Sequence, residues 1–334
     1  ADKDSDLQGD ACDTDRDSDA DGVDDTKDNC LLNINPDQLD TDKDGQGDKC
    51  DSDDDNDGVP DRIDNCRLVA NADQNDSRGL GEGDACRDDF DGDLVLNSED
   101  NCPENRELSK VDFRKFQAIN LDPKEEAQID PVWKIRNEGK EIEQLENSDP
   151  GLAIGYQSFS NLKYEGTFYV DTERDNDFIG IVFGYQSSSK FYTAMWKKAG
   201  QVYWDRLPFL ATSATGMTIK IVQSKTGPGP ELRNALWSSK TVNEDQVKVL
   251  WRDRRNIGWK ERTAYHWQLI HRPEKGLIRL RISNGTQEII DSGKIFDKTN
   301  KGGRVGVMVF SQEKVIWSNV VWECKNGYKA ERQE

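Results

Sequence analysis

The chain has 334 residues, 65 acidic and 45 basic, for a net charge of −20. No apolar run approaches the roughly 20 residues a membrane span needs, which argues against membrane insertion, and so acidic a chain argues against nucleic acid as a partner. The charge is uneven: residues 1–102 hold 34 acidic and 9 basic residues, and residues 103–334 hold 31 and 36.

Residues 1–102 cannot build an apolar core, since Phe90 is their one aromatic residue. They repeat a twelve-residue carboxylate frame instead. A hard cation such as Ca²⁺ takes six to eight oxygens, and a loop can supply them from positions 1, 3, 5, 7, 9 and 12, with a turn residue at 6. Asp53, Asp55, Asp57, Gly58, Asp61 and Asp64 fit that frame. So do Asp17, Asp19, Asp21, Gly22, Asp25 and Asp28, and again Asp40, Asp42, Asp44, Gly45, Asp48 and Asp51. Asp2, Asp4, Asp6, Asp10 and Asp13 fit with Leu7 at position 6, and Asp89, Asp91, Asp93, Asn97 and Asp100 fit with Leu94 there. One copy is degenerate: Asp76 and Asp84 remain, but Arg78, Leu80 and Arg87 take ligand positions, so a weak or lost site is expected. The stretches between loops are too short and polar for EF-hand helices. A disordered acidic tail is the competing reading. Against it, the carboxylates are nearly all Asp and keep their period. Bound calcium would replace the missing core, because metal-binding energy is folding energy here.

Cysteines mark the same period. Cys12, Cys50 and Cys86 follow Gly-Asp-x, and Cys30, Cys66 and Cys102 follow Asp-Asn, giving a repeat of about 36 residues. Such spacing reads as an extracellular disulfide framework. Zinc is disfavoured, since no Cys-x-x-Cys occurs. Pairs Cys30–Cys50 and Cys66–Cys86 would staple each loop pair. Cys102 is then left for Cys324, and Cys12 for a partner upstream in a longer protein; no signal peptide opens the chain.

Residues 103–334 predict a β-sandwich or jelly roll. Asp112–Ala118 has the pattern of a short helix. Strand-like runs follow at Gly166–Val170, Phe178–Phe183, Lys190–Trp196, Thr218–Val222, Gly276–Ile282, Gly303–Phe310 and Val315–Trp322. Asp171, Glu173, Asp175 and Asp177 form a second acidic cluster between two of these runs, read as additional calcium ligands rather than a solvated hairpin. His266 and His271 lie near no nucleophile motif and are read as structural. The basic run Trp251–Arg255, with Lys260 and Arg262, suits sulfated glycans, a solvated face, or docking onto the acidic repeats. Asn75-Asp-Ser77 and Asn284-Gly-Thr286 are glycosylation sequons.

Six longer motifs give a resemblance: Asn147–Ala153, Phe183–Ser189, Arg233–Trp237, Asn256–Lys260, His271–Pro273 and Phe310–Glu313. With the Asp-rich repeats, they resemble the C-terminal part of the thrombospondins over essentially the whole chain. The resemblance implies type 3 calcium repeats over residues 1–102, packed against a legume-lectin-like sandwich over residues 103–334, with consecutive disulfide pairing. It implies a secreted, adhesive matrix glycoprotein with structural calcium. Cell-surface receptors such as integrins and matrix proteins such as collagens are the implied partners. It also implies homo-oligomers joined by a coiled coil outside these residues. Two departures matter. The Arg-Gly-Asp of some relatives reads Gln46-Gly-Asp48 and Glu82-Gly-Asp84 here, and their Val-Val-Met reads Thr193-Ala-Met195, which suits a strand core. The competing functions are a calcium-dependent, sugar-binding lectin and a jelly-roll enzyme. An enzyme needs two carboxylates facing across a groove, and no Glu-x-Asp-x-x-Glu strand pattern occurs.

Overall fold

The computed structural model describes residues 16–98, 100–122 and 129–324, with the backbone alone at Cys324. The first carboxylate frame (Asp2 to Asp13) and Cys12 lie outside the described residues. Residues 16–98 and 100–112 contain no strand or helix; their backbone runs through successive turns.

Regular structure starts at Phe113. The helix expected over Asp112–Ala118 is only one tight turn, Phe113–Lys115, capped by Asp112, whose carboxylate accepts from the Arg114 amide. Phe116 then enters a strand, because the open edge of another strand, Gly151–Phe159, takes up its backbone groups. The strands in chain order are β1 (Phe116–Asn120), β2 (Trp133–Arg136), β3 (Glu141–Gln144), β4 (Gly151–Phe159), β5 (Leu162–Val170) and β6 (Phe178–Ser187). They continue as β7 (Lys190–Lys197), β8 (Gln201–Val202), β9 (Thr212–Ser213) and β10 (Gly216–Gln223). Helix α1 (Pro230–Trp237) intervenes before β11 (Val247–Arg252), β12 (Tyr265–Arg272), β13 (Leu277–Asn284) and β14 (Gln287–Asp291). β15 (Ile295–Phe296), β16 (Gly303–Phe310) and β17 (Val315–Cys324) complete the chain order.

Two antiparallel sheets face each other. One has the order β1-β4-β16-β6-β7-β10-β11; the other has the order β14-β13-β12-β5-β17-β3-β2, with β15 beside β13. Burial along the strands explains which residues went where. In β5 every second residue is buried, as in a sheet packed on one face. In β6 eight consecutive residues, Phe178 to Tyr185, are buried, so that sheet is covered on both faces. Its inner face (Ile179, Ile181, Phe183) joins Trp196, Trp267, Trp317 and Trp322 between the sheets. Its outer face (Phe178, Val182, Met195, Phe310) packs under α1 through Leu232, Ala235, Leu236 and Trp237. Helix α1 puts Leu232, Ala235 and Leu236 on one face at helical spacing, and Pro230 opens its first turn. Thr193, Ala194 and Met195 are fully buried in β7, so the Thr-Ala-Met triplet is strand core. His271 is buried between Phe183 and Tyr192.

Candidate metal centres in the acidic repeats

Without strands or helices, each loop satisfies its backbone with its own carboxylates. The position-1 aspartate accepts the amide of position 6: Asp17 from Gly22 at 3.0 Å, Asp40 from Gly45 at 3.1 Å, Asp53 from Gly58 at 3.0 Å, and Asp89 from Leu94 at 2.9 Å. That bond demands a left-handed residue at position 6. Gly22, Gly45 and Gly58 have φ of 97°, 96° and 91°. Leu94 is forced to 72°, a strained value for a side chain of that size. The position-9 residues Asp25, Asp48, Asp61 and Asn97 close each loop by accepting the amide of position 2.

The remaining oxygens converge. Ligand atoms of Asp17, Asp19 and Asp21 all lie within 4.8 Å of one another, and the same holds for Asp40–Asp42–Asp44, Asp53–Asp55–Asp57 and Asp89–Asp91–Asp93. In each position-3 aspartate, Oδ1 accepts the position-5 amide, at 3.0 to 3.2 Å. Oδ2 is left buried with no hydrogen-bond donor, in Asp19, Asp42, Asp55 and Asp91 alike. Oδ1 of Asp17, Asp40 and Asp53 and Oδ2 of Asp64 and Asp100 are orphaned in the same way. A buried carboxylate oxygen without a donor costs roughly 1–3 kcal/mol or more, and each loop carries at least two. Their positions fit a hard, oxygen-seeking cation. The electrostatics agree: burial, then neighbouring aspartates, push Asp21, Asp55 and Asp91 up to about 7 and Asp19 up to about 6 when no cation is present. Position 12 holds the chain to the next segment; Asp28, Asp64 and Asp100 accept the amides of Cys30, Cys66 and Cys102, each at 2.8 Å. Asp51 accepts from Asp53 at 3.1 Å.

The degenerate copy is built differently. Asp76 accepts three amides, from Arg78, Gly79 and Gly81 at 2.7–3.1 Å, which hold its carboxyl below the usual range. Asp84 closes the loop through Ser77 and pairs with Arg87 at 3.1 Å, and Arg78 pairs with Glu82 at 3.3 Å. Arginine charge stands where the other loops collect carboxylates.

Disulfides Cys30–Cys50 and Cys66–Cys86, with Cα separations of 5.8 and 5.5 Å, each tie residues 20 apart in sequence. Closing loops of this length stabilises a fold by about 3 kcal/mol. Cys102 is fully buried and disulfide-bonded; the side chain of Cys324 lies outside the described residues.

In the sandwich run Asp175 and Asp177 stay together and share a side-chain hydrogen bond; burial, then the neighbouring Asp177, pushes the Asp175 carboxyl up to about 7. Asp177 pairs with the buried Lys197 and accepts from Gln201 at 2.9 Å. Asp175 accepts from Asn147 at 3.0 Å. Asp171 and Glu173 are exposed and face Arg262, at 3.9 and 2.8 Å. In the basic run Arg252 pairs with Asn256, and Arg255 with Asp253 and the Ile289 carbonyl, while Arg254 and Lys260 are exposed. Asn75 and Asn284 are exposed, Asn284 at the turn from β13 to β14.

Some residues escaped the carboxylate frame. Gln38 donates to Asp28 and to the Asn35 carbonyl, and its own oxygen accepts from the Asn29 amide. Gln74 repeats this with Asp64, Asn71 and Asn65. The amides of Asn35 and Asn71 also cap Asp21 and Asp57, at 2.8 and 2.7 Å. The signal was present as a 36-residue offset between Asn29 and Asn65, Asn35 and Asn71, and Gln38 and Gln74. Asp54, buried against Arg67 outside the frame, gave no such signal.

Comparison with known proteins agrees with this geometry. The family model described as the thrombospondin C-terminal region matches residues 128–326, and that of the thrombospondin type 3 repeat matches 1–38, 39–74 and 75–110. Thrombospondin-2 of Gallus gallus is 54% identical over 225 residues, covering 67% of this chain and 19% of that protein. Thrombospondin-4-B of Danio rerio is 53% identical over 228 residues, 68% of this chain and 24% of that one. Cartilage oligomeric matrix protein of Bos taurus is 52% identical over 234 residues, 69% of this chain and 31% of that one. The match thus spans about a fifth to a third of these relatives' lengths. Among solved structures, a carbohydrate-binding module, CBM66 from Bacillus subtilis, aligns at 12% identity and TM-score 0.39, covering 59% of this chain and 94% of its own. Basic winged bean lectin aligns at 11% identity and TM-score 0.33, covering 63% of this chain and 91% of its own. The two family models together place the chain among secreted proteins of the extracellular matrix, and the chain belongs to the thrombospondin family.

Proposed function

We propose that the chain is a calcium-dependent adhesive module whose ions are structural. Calcium held by the four Asp triads, and by a fifth frame at Asp2–Asp13, replaces the core that residues 1–102 lack, and so orders them against the sandwich of residues 103–334. The observation that supports this reading is the orphaned buried Oδ2 at position 3 of all four loops, joined by position 1 in three of them and position 12 in two. Asp76 and Asp84 would contribute little. Asp171, Glu173, Asp175 and Asp177 would bind a further ion only after Asp177 exchanged its lysine partner. A Cys102–Cys324 bond would fasten the repeats to the last strand.

The sandwich so presented would meet cell-surface receptors such as integrins and matrix proteins such as collagens, in an oligomer joined by a coiled coil elsewhere in the protein. Sulfated glycans are weaker partners, because Arg252, Arg255 and Arg262 are engaged within the sandwich. Glycans on Asn75 and Asn284 would be accommodated without repacking. Catalysis forms no part of this reading. Equilibrium dialysis should give at least five calcium ions per chain. Binding to immobilised collagen or an integrin ectodomain should fall on chelation. Fewer than three ions, or adhesion indifferent to chelator, would overturn it.

A further inference from the structure

We propose that the cleft between the repeats and the end of β4 binds a single neutral sugar residue. The cleft encloses about 210 Å³, below the roughly 300–1,000 Å³ of drug-sized pockets, which suits one pyranose ring rather than an extended chain.

Its floor is made by an irregularity of β4. That strand pairs with β16 at Ile154↔Gly306 and again at Ser158↔Arg304, so Gly155, Tyr156 and Gln157 stand opposite Val305 alone. A bulge of this kind turns side chains out of the pleat. Tyr156 is 58% exposed, in a strand whose first five residues are buried. The opposite wall comes from the repeats and the segment that leaves them: Asp37, Asn105 and Glu107 face Tyr156, Gln157 and Ser158.

These side chains match what a sugar offers. Hydroxyl groups donate to carboxylates and exchange hydrogen bonds with amides, and the C–H face of a pyranose rests on an aromatic ring. Asn105 is 3% exposed; its side-chain oxygen accepts the Glu107 amide at 3.1 Å, which leaves its NH₂ to donate to a ligand. Two carboxylates and no lysine or arginine line the cleft, so sulfated and carboxylated sugars are excluded by charge.

Pro36 and Asp37 of the lining belong to the repeats, so the site rests on their being ordered by calcium. Gly302 permits the closure. A Cβ there would lie 2.5 Å from Pro36, which packs on the sandwich beside the cleft.

Saturation-transfer NMR on the calcium-loaded chain tests this, with galactose, mannose, glucose and N-acetylglucosamine as probes and a heparin disaccharide as the charged control. At least one neutral sugar should give signal. Tyr156→Ala should abolish it and Glu107→Gln should weaken it by about tenfold in Kd, both with unchanged calcium stoichiometry and tryptophan fluorescence. Those two readouts separate failure of the site from failure of the calcium-ordered repeats. No signal from any neutral sugar, signal that survives Tyr156→Ala, or preference for the heparin disaccharide would overturn the proposal.

Discussion

Lys301 donates from Nζ to the carbonyl oxygen of Asp19, 2.8 Å away and 282 positions earlier in the chain. Beside it, Gln186 donates to the carbonyl of Ala20 at 3.2 Å. The sandwich therefore grips the backbone of a candidate metal loop, at the residues that the Asp17–Asp28 frame holds in its turn. Ala20 adopts a left-handed φ of 63°, and a side chain at Gly22 would strike Gln186.

Removing both donors should release the loop. In the calcium-loaded Lys301→Ala/Gln186→Ala variant, hydrogen exchange should rise at the amides of Asp21, Gly22 and Asn35, with the β6 and β7 amides unchanged. Hydrogen bonds involving a charged group contribute about 1.5–3 kcal/mol, so exchange at those amides should quicken by tenfold or more. Exchange unchanged there would mean that the contacts add nothing to docking.

Asp57 has two duties. It belongs to a triad that could hold a metal ion, and its second oxygen accepts the Asn71 amide at 2.7 Å. Asp57→Ala should lower calcium stoichiometry by about one ion, following ligand count, and loosen residues 53–74. The tryptophan-reported melting of the sandwich should hold, since its core lies between the two sheets. A collapse of that transition would show that the loops and the core fold as one unit.

The degenerate loop offers the converse experiment. Its backbone already follows the frame: Gly81 is left-handed at 82° and donates to Asp76. Arg78→Asp, Leu80→Asp and Arg87→Asp together should add one calcium ion in a titration. Unchanged stoichiometry would show that frame and charge are insufficient.

Acid should weaken the sandwich through His271. Burial, with a smaller contribution from the Arg272 charge, pushes its imidazole down to about 3, against an ordinary value of 6.5. The folded state thus keeps it neutral while the unfolded chain protonates. Its stability is intact above pH 6.5 and is lost as pH falls from 6.5 towards 3, by about 2 kcal/mol at pH 5. His271→Leu should flatten that part of the pH profile in calorimetric melts of the calcium-loaded protein. Equal slopes in the two proteins would refute the assignment.

How much of this was legible in the sequence depended on whether the signal was local. The geometry of the carboxylate loops was, because its spacing and turn residue sit within twelve positions, and Asp17, Asp40, Asp53 and Asp89 each bond position 6 as the frame requires. Strands with β-branched or aromatic runs, such as Gly303–Phe310, were readable too. Helix α1 was not: the two turns of Pro230–Trp237 give little periodicity, and its apolar face has meaning only against the second face of a doubly covered sheet. Asp112–Ala118 misled for the opposite reason, since strand pairing with β4 overrode a helical pattern. In the acidic run Asp171–Asp177 the contact between Asp175 and Asp177 is local, whereas Lys197 and Arg262 reach Asp177 and Glu173 from distant positions, and neither pairing has a local signature. The Tyr156 cleft was invisible, because its walls come from three separate stretches of chain, around Asp37, Asn105 and Tyr156.

On the proposed function, metal in place of an apolar core organises residues 1–102. Small-angle scattering of the same sample with calcium and then with chelator measures that directly. The radius of gyration should rise on chelation, with the sandwich transition still present on heating, and should fall back when calcium is restored. Identical scattering in the two conditions would contradict the claim.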